Sequence, residues 1–423
     1  MRILFLVHRV PYPPNKGDKI RALWELKSLA RDHEIDLFCF YDHKEDRHSI
    51  DDLRSYCNDC YAEPLSWLGS RWRALVAAAT RKPFSTAYFY SRRMARRIQQ
   101  AIATRNYDVV LVFSSSMAQY VEAETKLPRV LDMVDVDSAK WSDYASSASP
   151  LVRWLWKQEG RLLSAYECQI ANSFSQTLLC TDAEAAVLQR SAPQAPVSVL
   201  RHMVDSDYFD PAKVAVPADL ARWQPYVVFS GSMDYAPNVE AVRWFYNNAL
   251  PLMRRRMPEL KFVIAGRNPA KEVMELDKNP AVLVTGSVPD VRPYLRAAAV
   301  AVAPMQLARG VQNKILESMS MGLPVAASSK AAVAFPRAVA DLILVEDDAA
   351  ALAEQLVDTI QNGPQPPVAC IRESLRQVYG DSSLKNQLEE FLRQACAVAS
   401  HKTIKKSSHS VSPQPNPVGV HGD

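Results

Sequence analysis

Arg309, Gly310, Lys314 and Glu317 have the types and spacing to hold an anion joined to a sugar. They fall in AVAVAPMQLARGVQNKILESMSMGLPVAAS, residues 299–328. The first turn of a helix has unpaired N–H groups and a partial positive charge. Arg309 before that turn and Lys314 within it would add full charges, which makes a diphosphate site. Glu317 would repel phosphate but accept hydrogen bonds from sugar or ribose hydroxyls. The same residues also fit a surface helix carrying an i,i+3 Lys–Glu pair. Chemistry alone leaves both readings open.

Such a site needs a strand that ends at it and a helix that starts from it. Residues 299–303 are a short apolar run, the pattern of a buried parallel strand, and Pro304 ends it. Residues 312–321 read as a helix with Ile315, Leu316 and Met319 on its apolar face. Gly322 suits the left-handed residue that closes a helix, and Pro324 follows where a helix cannot continue. Residues 325–328 start another strand. Upstream, three more strands run into glycine: residues 227–229 into Gly231-Ser232, 262–265 into Gly266-Arg267, and 282–285 into Gly286-Ser287. With Gly310 they would place glycines at the C-terminal edge of one parallel sheet, where backbone must approach a ligand.

The first half of the chain shows the same grammar. Residues 3–7 form a β-run, 8–19 a Pro-rich loop (HRVPYPPNKGDK) ending in Gly17 and Asp18, 20–30 a helix and 35–40 a strand. This is the opening of a doubly wound fold with its ligand loop after the first strand, although no GxGxxG is present. Residues 109–113 and 130–134 are further strands, with a crossover helix at 114–124. The second of these strands runs into Asp135-Val136-Asp137. A DxD is a metal signature in some sugar transferases, but Asp205-Ser206-Asp207 matches equally. Asp135 is therefore read as a site residue without a metal. Residues 151–171 read as a long helix with Trp154 and Trp156 inside. Residues 203–224 read as a linker, and a second α/β series starts at Tyr226.

At 423 residues the chain suits two or three domains. A net charge of +4 gives no global nucleic-acid signal. Residues 67–105 are locally basic and aromatic, and Arg92, Arg93, Arg96 and Arg97 stand out. They suit an anionic membrane surface or a lipid pyrophosphate acceptor, or a solvated helix face. Cys57 and Cys60 form a CxxC without a second pair at zinc-finger spacing, and scattered cysteines suggest a reducing compartment. The expected location is the cytoplasm or the inner face of the plasma membrane.

ARGVQNKILESMSMGLPVAAS resembles the signature region of family-4 glycosyltransferases, above all at Lys314-x-x-Glu317 and Ser318 to Val325. VPYPPNKGDKIR resembles the family's N-terminal loop, and HMVDSDYFDP its interdomain segment. GSMDYAPNVEAVRWF and LDMVDVDSAKW resemble a subgroup, the exopolysaccharide sugar transferases associated with the PEP-CTERM/exosortase system. The resemblance implies an α/β GT-B fold, two facing Rossmann-like domains with a C-terminal helix crossing back to the first. It implies an acceptor-binding domain at 1–205, a nucleotide-sugar-binding domain at 206–379, a returning helix at 380–398 and a disordered tail at 399–423. It implies a retaining, metal-independent, hexosyltransferase-type enzyme with a nucleotide-sugar donor, no other cofactor, and a saccharide acceptor that is lipid-linked. Glu317 would hold the donor's ribose, Asp135 would face the transferred sugar, and Gly17 would let the pyrophosphate approach. Gly231, Ser232, Arg267, Gly286, Arg309, Gly310 and Lys314 complete the expected donor wall. Arg309 stands where the family signature has a glutamate, and Ser232 and Pro237 stand where it has Arg and Lys. Arg309 and Lys314 are thus the expected substitute clamp. A catalytically inactive GT-B scaffold at the membrane and a nucleotide-sugar epimerase fit the same features.

Overall fold

The computed structural model describes residues 1–14, 16–42, 49–79, 82–121, 126–146, 149–308, 310–363 and 368–408. Its framework is two parallel sheets. The first contains β1 (Arg2–Val7), β2 (Glu34–Tyr41), β3 (Asp59–Pro64), β4 (Val109–Phe113), β5 (Arg129–Val134), β6 (Gln176–Leu179) and β7 (Val197–Val199). Their spatial order is β3-β2-β1-β4-β5-β6-β7. The second contains β8 (Tyr226–Ser230), β9 (Lys261–Ala265), β10 (Val282–Gly286), β11 (Val300–Ala303), β12 (Val325–Ala327) and β13 (Leu344–Val345), in the order β10-β9-β8-β11-β12-β13.

Every pairing in both sheets is parallel. Parallel sheets are covered on both faces, so their strands must be apolar throughout. In β1, Leu4 and Leu6 enter one core while Ile3, Phe5 and Val7 enter the other. Each sheet reverses direction of winding beside its first strand, between β1 and β4 and between β8 and β11. Ligands of doubly wound sheets bind outside the strand ends at that point.

The helix Asp381–Ser408 packs on the first sheet, where Leu384, Leu388, Leu392 and Ala395 join the core around β1, β2 and β4. Its Asp381 accepts a hydrogen bond from the Trp24 indole at 2.8 Å.

Several local expectations are corrected. Residues 399–408, read as disordered tail, continue this helix. A formed helix extends at little cost until something stops it, and no proline occurs before Pro413. Residues 409–423 lie outside the described residues. In the crossover expected at 114–124, Ser115–Tyr120 form a 3-10 turn, because the Ser114 hydroxyl accepts from the Ser116 N–H and competes with helix; residues 122–125 lie outside the described residues. The helix at 239–257 is broken by a π-turn at Phe245–Ala249. Strand β3 was unforeseen; DCYAEP has little β-branched character and is held at an edge by β2. Trp154, expected inside, is 65% exposed. It lies in the first half of the 24-residue helix Pro150–Ser173, where residues 152–155 are all exposed.

Candidate functional site

A cleft of about 1610 Å³ opens between the sheets. Gly17, Gly231, Ser232, Arg267, Lys314 and Glu317 all line it. Two helices aim their N-termini into it, Gly17–Leu29 from the first half and Asn313–Ser320 from the second. A Cβ on Gly17 would lie 3.7 Å from the Asn313 side-chain nitrogen, so the two ends nearly touch. Two positive helix ends converging on one space favour an anion there.

Lys314 is the cation of this wall. Its ammonium donates to Asn238 Oδ1 at 2.5 Å and stands 4.2 Å from the centre of the Phe229 ring. No carboxylate forms an ion pair with it among the described residues. Burial disfavours its charged form, only partly offset by Glu317, and lowers its pKa to about 7. Asn238 is buried and fixed in turn, because its amide donates to the Ser232 carbonyl at 2.8 Å.

Glu317 follows one turn later on the same helix. Among the described residues its carboxylate has no hydrogen-bond donor. Burial raises its pKa to about 7 against the pull of Lys314. An acceptor-only group facing a cleft without a donor is suited to ligand hydroxyls.

The glycines differ in what they do. A Cβ on Gly266 would meet the Gly231 carbonyl oxygen at 1.6 Å, so the loops after β8 and β9 touch backbone to backbone. Gly231 has φ 151°, and its Cβ would press on the Asn238 amide at 2.8 Å. Gly286 is not among the cleft-lining residues and has open space around it, although its φ is 65°. Gly310 faces the other half of the molecule; its Cβ position is 3.0 Å from Asp135 Oδ1. Arg267 lines the cleft beside Ser232, whose hydroxyl donates to Asp234 at 2.5 Å. Arg309 lies outside the described residues.

Asp135 sits at the end of β5 on a distorted turn. Val134 has φ 69°, rare for a β-branched residue, and the register with β6 shifts there. Carboxylates hold the turn: Asp132 accepts from the Val134 N–H at 3.1 Å, Glu184 from Val136 at 2.7 Å and Glu167 from Ser138 at 3.2 Å. Cys180 donates to Asp135 Oδ1 at 2.9 Å, and Lys140 pairs with Oδ2 at 2.9 Å. Burial opposes ionisation of Asp135, but Lys140 and Cys180 outweigh it and hold the carboxyl below its ordinary range. Lys140 also pairs with Asp137 at 2.9 Å, so one ammonium bridges both acids of the DxD. Beneath them, Arg21 donates to Asp132 at 2.5 Å in a fully buried pair.

Arg92, Arg93, Arg96 and Arg97 are not part of this cleft. They lie exposed on the helix Arg92–Thr104, whose Met94, Ile98 and Ala101 are buried. Asn238, Lys140, Cys180 and Glu184 were absent from the sequence-based set. Asn238 had a visible signal, the Pro-Asn that follows a strand-end glycine. Lys140 lies three residues after Asp137, a spacing that pairs charges on a helix.

Two facing doubly wound sheets, a cleft at their switch points and a last helix returning to the first sheet define the GT-B fold. Residues 224–362 match the family described as Glycosyl transferases group 1. A Klebsiella pneumoniae chain described as an uncharacterized 44.6 kDa protein in the cps region is 22% identical over 378 residues, 85% of this chain and 91% of that one. Sucrose-phosphate synthase from Thermosynechococcus elongatus is similar in structure, with a TM-score of 0.66 at 16% identity, covering 94% of this chain and 100% of that one. Anabaena HepE, solved in complex with UDP-glucose, has a TM-score of 0.59 at 14% identity, covering 93% and 99%.

Proposed function

We propose that the protein is a retaining, family-4-type glycosyltransferase that moves a sugar from a nucleotide-sugar donor to a saccharide acceptor. The observation that carries this is the pair on the helix Asn313–Ser320. Among the described residues no carboxylate forms an ion pair with Lys314 and no donor hydrogen-bonds to Glu317, and both face the cleft one helical turn apart. Charge growing on a leaving diphosphate would be met by Lys314 and the two helix ends, so the reading assigns it no metal. Glu317 would take the ribose hydroxyls. Asp135, held ionised by Lys140 and Cys180, would face the positive charge that develops on the sugar. UDP-glucose bound to a structural neighbour and a cps-region relative support a nucleotide-sugar donor and a role in exopolysaccharide synthesis. The residues that resemble the PEP-CTERM/exosortase-associated subgroup support a lipid-linked acceptor. The exposed Arg92, Arg93, Arg96 and Arg97 would then dock the enzyme on the inner membrane face.

The test is nucleoside diphosphate release from a panel of nucleotide sugars, with and without lipid-linked saccharides. Acceptor-dependent release that Lys314→Ala and Glu317→Ala abolish supports the reading. Release that needs no acceptor, or a folded protein that binds no nucleotide sugar, refutes it.

A further inference from the structure

Tyr208 lies in the segment that joins the two sheets, between β7 and β8, and lines the same cleft as Glu317. It is 46% exposed, yet it is held from several sides. The Arg292 guanidinium lies 3.7 Å from the ring centre and covers one face. Arg292 is itself locked by Asp290, which accepts from Nε at 3.0 Å and from a terminal nitrogen at 2.7 Å. The other terminal nitrogen donates to the Tyr208 carbonyl at 2.9 Å. Asp205 Oδ1 accepts from the Tyr208 N–H at 2.8 Å, and Phe209 stands edge-on at 5.0 Å.

The ring is therefore fixed before any ligand arrives. One face rests on Arg292, so the exposure belongs to the other face and the rim. The Arg292 guanidinium also interacts with the phenolic oxygen. Val288, Pro289 and Val291 add apolar surface to the same stretch of cleft.

An immobilised aromatic face loses little entropy on binding a second flat ring. A cation behind the ring leaves the open face free to stack. Glu317 on the same cleft marks where ribose hydroxyls would be held, so the flat ring nearest to hand is the one attached to ribose.

We propose that Tyr208, backed by Arg292, is the stacking platform for the donor's nucleobase. The proposal rests on the donor reading above and adds a residue from the joining segment to the binding site. Stacking accepts purines and pyrimidines alike, so the platform supplies affinity and leaves the choice of base to groups at the ring edge.

The experiment is calorimetry on the full chain with UDP, GDP, ADP, CDP, dTDP and inorganic pyrophosphate. Tyr208→Ala should weaken the tightest-binding nucleoside diphosphate by about tenfold or more. Pyrophosphate, which has no base, should bind within about twofold of wild type, which also shows that the variant is folded. Tyr208→Phe should restore nucleotide binding, and Arg292→Ala should reproduce part of the loss. Unchanged nucleotide affinity in Tyr208→Ala, with binding still lost in Lys314→Ala, overturns the platform and leaves the donor reading standing. A wild-type chain that binds none of these ligands overturns both.

Discussion

Donor affinity should peak near pH 7, and the two limbs should belong to two named residues. Lys314 and Glu317 each titrate at about 7 in the empty cleft, for opposite reasons. Burial strips charge from both. A diphosphate beside Lys314 restores the ammonium, so above pH 7 binding must take up a proton. Each further pH unit then costs about 1.4 kcal/mol, a tenfold rise in Kd, up to the pKa of the bound state. Ribose hydroxyls need the ionised carboxylate of Glu317, so below pH 7 binding must release a proton. Affinity then falls about tenfold per unit as the pH drops. The phosphates of a nucleotide sugar stay ionised throughout, so the slopes belong to the protein. Calorimetry from about pH 5 to 9 with the tightest-binding nucleotide sugar measures both limbs. Lys314→Met should erase the alkaline limb and Glu317→Gln the acid one. A flat wild-type profile, or limbs that survive both substitutions, would refute the assignment.

Four further outcomes are expected. Gly266→Ala should cost about 3 kcal/mol or more in urea denaturation, because its Cβ would collide with the Gly231 carbonyl. Gly286→Ala, which meets no atom, should cost only the roughly 1–2 kcal/mol of its positive φ. Arg21→Ala should destabilise the first sheet by about 3–5 kcal/mol, since it leaves the buried carboxyls of Asp132 and Glu25 without their shared cation. Lys140→Ala removes the main force opposing the burial of Asp135. The carboxyl pKa should rise and the acid limb of turnover should shift to higher pH, while donor Kd stays constant. An unmoved limb would separate Asp135 from the chemistry.

The strands of both sheet centres were legible because burial on two faces demands unbroken apolar runs, as in β1, β4 and β8. Lys314 and Glu317 were legible as one helix turn following a strand. What sequence concealed is what distant segments supply. Strand β3 exists through its pairing with β2, and the half-turn of Val134 through Asp132 and the register with β6. Asn238 matters because Lys314, 76 residues later, reaches it. A tryptophan in a helix signals core, but Trp154 sits in a turn whose residues 152–155 are all exposed.

The last helix has a consequence for how the chain comes into being. The first sheet is complete in sequence at Val199, but the part of one face that the helix Gly17–Leu29 leaves open stays bare until Leu384, Leu388, Leu392 and Ala395 arrive. At about 5–20 residues per second, a ribosome leaves that apolar face uncovered for roughly 10–40 s. The first half is therefore a natural client for chaperones during synthesis. For the same reason, a shortened chain ending before Asp381 should precipitate rather than yield an isolated half.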